Sequence, residues 1–79
     1  MRYSDMKIGD IYKESPYANY VVTRVRGYVH MLRNDGATSK YSTFNRVPTR
    51  LQKVAEYPTF QEAIASTLFN DVFETILMN

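Results

Sequence analysis

Tyr20, Arg24, Arg26, Tyr28, His30, Arg33, Lys40 and Tyr41 interleave cations with aromatic rings through the middle of this 79-residue chain, and Arg46, Arg50 and Lys53 follow. Cations track phosphates and tyrosine faces stack on bases at about 1–3 kcal/mol each, so these residue types suit a single-stranded nucleic acid. They also suit the wet face of any small antiparallel sheet, where Tyr and Arg serve strand propensity and solubility. Catalysis has less to draw on. His30 is the only histidine, no spacing of serine and acid around it proposes a triad, and it reads as a strand residue on the sheet surface or partly packed. The three glycines form no phosphate-cradling loop, and Asp5, Asp10 and Glu14 lack the glycine and alternating oxygens of a calcium loop. One histidine without cysteine leaves no transition-metal ligand set. The expectation is a non-enzymatic protein with no metal and no cofactor.

The elements that must carry these side chains follow from pattern. Tyr20 to Val25 alternates in the manner of a strand, Gly27 breaks or bulges it, and Tyr28 to Leu32 resumes it. Asn34-Asp35-Gly36 is hairpin chemistry, because Asp-Gly tolerates the positive φ angles of tight turns, so Ala37 to Phe44 is the returning strand. Lys7 to Tyr12 reads as a first strand closed by Ser15-Pro16, and Leu51 to Val54 as a last short edge strand. Alternation along the second strand predicts that Tyr20, Arg24 and Arg26 share one face. Pro58-Thr59 then opens a helix, with Thr59 and Glu62 placed for a capping box, and no Gly or Pro interrupts Phe60 to Leu77.

The chain therefore reads as α+β in a single domain, residues 1–79. A small twisted antiparallel sheet or partial SH3-like barrel of four to five strands spans 7–54, with one C-terminal helix over 59–77 packed on it. Charge divides along the same line. All ten Lys and Arg lie from Arg2 to Lys53, where only Asp5, Asp10, Glu14 and Asp35 oppose them (net +6), while residues 54–79 hold Glu56, Glu62, Asp71 and Glu74 with no base (net −4). Helix capping and the helix dipole account for Glu62. Cysteine is absent, which closes disulfide and thiolate-zinc routes to stability and makes a reducing cytoplasm the expected setting. No apolar run of signal-peptide or membrane-spanning length is visible, so no membrane partner is expected.

Lys7-Ile8-Gly9-Asp10-Ile11-Tyr12 resembles the opening of small SH3-like barrels, in which a Gly-Asp turn leads into the first strand. Strands followed by Pro58-Thr59-Phe60-Gln61-Glu62-Ala63 are similar to the sheet-then-helix layout of three-stranded DNA-binding domains of the integrase-arm kind, whose basic sheet enters the major groove. The chain departs from that layout by an additional N-terminal strand and by lacking the Gly-x-Phe lead into the helix. No family is assigned.

Two functions follow as expectations. The first is nucleic-acid binding through a basic Tyr/Arg sheet face, with Tyr20, Arg24, Arg26, Tyr28, Arg33, Lys40, Tyr41, Arg46 and Arg50 as contact residues. The alternative is a small inhibitor or adaptor of the phage or mobile-element type that binds a host or partner protein. It is motivated by helix apolar residues that cover a wider arc than the ~100° a surface helix needs. Phe60, Ile64 and Leu77 would then form the partner or homodimer contact.

Overall fold

The alternating segment from Tyr20 lies at the centre of an open antiparallel sheet. The computed structural model describes residues 1–66 and Phe69. Its strands are β1 (Asp10–Ser15), β2 (Ala18–Arg26), β3 (Tyr28–Arg33), β4 (Thr38–Ser42) and β5 (Gln52–Glu56), in the order β4-β3-β2-β1-β5. The sheet is not closed, because β4 and β5 each end it. A 3-10 turn at Tyr3–Asp5 precedes the strands, and a short helix, α1 (Phe60–Ile64), follows them.

Several boundaries differ from the sequence reading: β2 is longer at both ends than Tyr20 to Val25, β4 stops at Ser42 rather than Phe44, and the last strand is shifted from Leu51–Val54 to Gln52–Glu56. Lys7 to Gly9 belong to the turn before β1 rather than to the strand: the Lys7 amide donates to Asp10 Oδ2 at 2.9 Å and the Asp10 amide donates to the Lys7 carbonyl at 3.1 Å. Gly9 has φ +95°, closed to most side chains, and its amide donates to the Val22 carbonyl while its carbonyl accepts from Tyr57. The predicted helix is broken early. Thr59 Oγ1 accepts from the Glu62 amide at 3.2 Å, one of the two bonds of the expected capping box, but α1 ends at Ile64 with Ala65 as its C-cap. There Ser66 Oγ donates back to the Ala63 carbonyl and accepts from the Phe69 amide, so a serine competes with the backbone ladder and the uninterrupted helix fails. Apart from Phe69, the rest of the predicted helix lies outside the described residues. Among those described, no helix is long and apolar enough to cross a membrane.

Apolar residues pack against both faces of the sheet. On one face Tyr12, Val22, Val29 and Met31 lie under a roof of Tyr3, Met6 and Leu51, with Tyr20, Val25 and Val47 at the margin. On the other, Ile11 and Val21 meet Ala63 and Phe69, flanked by Leu32, Ala55, Tyr57, Phe60 and Ile64. Each fully buried aliphatic side chain contributes roughly 1.5–3 kcal/mol. α1 therefore holds one half of its face shut, and the second half of β2 extends past it.

Candidate nucleic-acid interface

A single β-bulge decides which cations meet. Val22 pairs with Met31, yet Arg24 pairs with His30, so Thr23 is an extra residue on β2, its hydroxyl donating to the His30 carbonyl at 3.2 Å. Side chains alternate, so one inserted residue inverts every position beyond it. Tyr20 and Val22 face the roofed side, and Arg24 and Arg26 face the helix side. This corrects the expectation that Tyr20 shares a face with the two arginines.

Beyond the bulge the pairing is regular. Arg24 lies opposite His30, Arg26 opposite Tyr28, and His30 in turn opposite Lys40. Directly opposed side chains in such a sheet are about 4.5–5.5 Å apart at Cβ, and residues i and i+2 about 6.6–6.8 Å apart along a strand. Arg24, Arg26, Tyr28 and Lys40 are exposed and His30 is half-buried. Lys40 Nζ stands 4.7 Å from the centroid of the Tyr28 ring, a cation–π contact. None of Arg24, Arg26 and Lys40 forms an ion pair with an acid among the described residues.

The other expected contact residues are engaged elsewhere. Tyr20 and Arg33 are cross-strand partners on the roofed side. Arg33 donates from Nε to Asp35 Oδ1 at 2.8 Å and from Nη2 to Oδ2 at 2.6 Å, which raises its own pKa further and lowers that of Asp35 to about 2. The Tyr41 ring stacks on Tyr3 with centroids 4.6 Å apart, so one of its faces is taken. Arg50 Nε is 3.9 Å from Glu14 Oε2. Between Tyr3, Tyr20, Tyr41 and Arg50 lies a cleft of about 60 Å³, far below the ~300 Å³ of a small-molecule pocket. Arg46 is exposed and sits opposite Arg2 in an isolated bridge. Lys53 pairs with Asp10 at 3.5 Å and with Glu56.

Four of the nine expected residues are thus brought together, and His30, read from the sequence as a strand residue without a role, joins them. Phe60 and Ile64, the expected partner or homodimer contacts, are half-buried against the Ile11 and Val21 core. Leu77 lies outside the described residues. Phe44, expected as the last residue of the returning strand, lies instead in the turn after β4 and is 78% exposed. Its only sequence signal is an aromatic ring among polar neighbours, Thr43 and Asn45. No family model, curated protein or solved structure matches the chain, so the functional reading rests on this geometry.

Proposed function

We propose that this is a non-enzymatic nucleic-acid-binding protein whose contact surface is the open half of the helix-side sheet face. Arg24, Arg26 and Lys40 bind the phosphate backbone, His30 supplies a further ring nitrogen donor, and Tyr28 contacts a base. The observation that carries the reading is the gathering of three cations around one exposed ring, with no acid among the described residues paired to them. The bulge that turns Val25 toward the roofed core also delivers Arg24 and Arg26 to the face that carries Tyr28 and Lys40. Two arginines two residues apart on a strand match the repeat of charge along an extended phosphodiester chain.

The strand order, with β2 bent at its bulge, is in keeping with a partial SH3-like barrel left open between β4 and β5. Fold does not choose the function here; the site does. Fluorescence anisotropy with a labelled single-stranded oligonucleotide across a salt series tests the reading. Three cations that displace counterions at about 0.7 each give a slope of log K against log salt near −2. Binding no tighter than millimolar at low salt, or binding indifferent to salt, defeats it.

A further inference from the structure

Resting on that reading, we infer that the ligand is specifically single-stranded and that its track continues from Tyr28 around the Gly27 corner to a second stacking residue, Phe44, flanked by Arg2 and Arg46. The two residues are near neighbours along the chain path. Tyr28 lies opposite Ser42, and Phe44 follows two residues on, which keeps their Cα atoms within about 13 Å. The Gly27 carbonyl accepts from both the amide and the hydroxyl of Thr43, joining the β2–β3 corner to the turn that bears Phe44.

That turn does not need a phenylalanine. The Asn45 amide donates to the Ser42 carbonyl at 3.0 Å and closes it, leaving Thr43 and Phe44 at its centre. Small polar residues and glycine are the usual occupants of such positions. At 78% exposure Phe44 forgoes the burial that ordinarily stabilises this side chain. A lone exposed apolar residue calls for no explanation, but the Arg2 guanidinium donates to the carbonyl of this one, and the exposed Arg46 follows two residues on. Arg2 and Arg46 face each other across a bridge, an arrangement of like charges that costs stability. Asp5 does not relieve it, because its Oδ2 accepts the Arg2 backbone amide at 3.0 Å, while the Arg2 guanidinium donates to the Phe44 carbonyl. No acid among the described residues forms an ion pair with either arginine.

Two rings divided by a sharp corner, each beside cations, fit splayed bases on a bent single strand. Stacked and paired bases of a duplex offer neither ring a face. In the free protein the Lys40 ammonium occupies the Tyr28 ring; a base takes its place on binding and releases the ammonium to a phosphate.

Phe44→Ala and Tyr28→Ala, each on the full chain, are compared with wild type for binding to a deoxythymidine octamer and to a duplex of the same length. Each substitution is expected to weaken octamer binding about 5- to 100-fold while leaving the salt slope and the duplex affinity unchanged. Phe44→Trp, which introduces the chain's only tryptophan, keeps the affinity, and its emission is quenched by the octamer. Phe44 is exposed in a turn, so Phe44→Ala keeps the fold, which circular dichroism verifies. Wild-type binding with the expected salt slope, but Phe44→Ala within twofold of it, overturns the inference and leaves the nucleic-acid reading standing. So does an equal loss on the duplex. Failure of wild type to bind either ligand overturns both.

Discussion

At the scale of single residues, a cation's role here is set by its nearest acid. Arg33 and Lys40 lie on neighbouring strands, yet Arg33 is held in a bidentate pair by Asp35, whose Oδ1 also accepts the Ala37 amide at 3.0 Å. That triangle belongs to the β3–β4 turn. The Arg33 guanidinium is the main reason that the Asp35 carboxyl titrates at about 2, with the Ala37 amide next. The folded pKa is depressed, so the pair's contribution to stability is present above the unfolded carboxyl's value near 3.9 and is lost as pH falls toward 2. An NMR titration of wild type should find the Asp35 carboxyl near pH 2, and Arg33→Ala should return it toward the ordinary range while changing oligonucleotide affinity less than twofold. An Asp35 carboxyl that titrates normally in wild type contradicts the pairing. A tenfold loss of affinity in Arg33→Ala instead makes Arg33 a ligand residue.

At the scale of elements, glycine marks the corners and a bulge decides the faces, and only the first was legible. The hairpin at Asn34-Asp35-Gly36 was read from its dipeptide chemistry, and Gly36 takes φ +95°. Gly9 was read as a turn residue too, but its second duty was not visible: a Cβ there would lie 2.2 Å from the Tyr57 carbonyl oxygen, where the end of β5 crosses toward α1. Gly9→Ala therefore meets both a backbone clash and positive φ and should destabilise by at least about 1–3 kcal/mol. Chemical denaturation measures it as a lower midpoint at unchanged slope, and an unaltered midpoint refutes the close approach. The bulge at Thr23 carried no sequence mark, because Val22, Thr23 and their neighbours are all strand formers. Its position follows from non-local pairing: Val25 and Val29 turn inward under a roof whose members, Tyr3, Met6 and Leu51, come from segments without periodicity. That is why the strands were readable while the division of their side chains between faces was not. The helix start at Thr59 was likewise legible from capping. Its stop at Ser66 was not, since a serine on an otherwise apolar helical pattern reads as a solvent-facing residue.

At the scale of the whole molecule, the question is whether binding would follow the basic cluster or merely the net charge of +2. Two pairs of substitutions separate these. Arg24→Glu with Arg26→Glu reverses the cluster. Lys13→Glu with Arg50→Glu removes the same charge from the other end of the sheet, where Lys13 is exposed and Arg50 approaches Glu14 at 3.9 Å. Either pair replaces two cations by two anions and takes the chain from +2 to −2. Long-range attraction at low salt would weaken similarly in both, because charges a Debye length apart, about 10 Å at 0.1 M, still sense the whole field in dilute buffer. At 0.15 M salt that shared effect is largely screened, and direct phosphate contacts remain. The cluster pair should then lose about 100-fold or more in affinity for the octamer and flatten the salt slope by roughly 1.4, from two contacts at about 0.7 each. The distal pair should stay within about threefold of wild type with its slope intact. Equal losses in both pairs, measured by anisotropy in the same buffer, would show that the ligand senses only net charge and that the face assembled by the Thr23 bulge is no binding site.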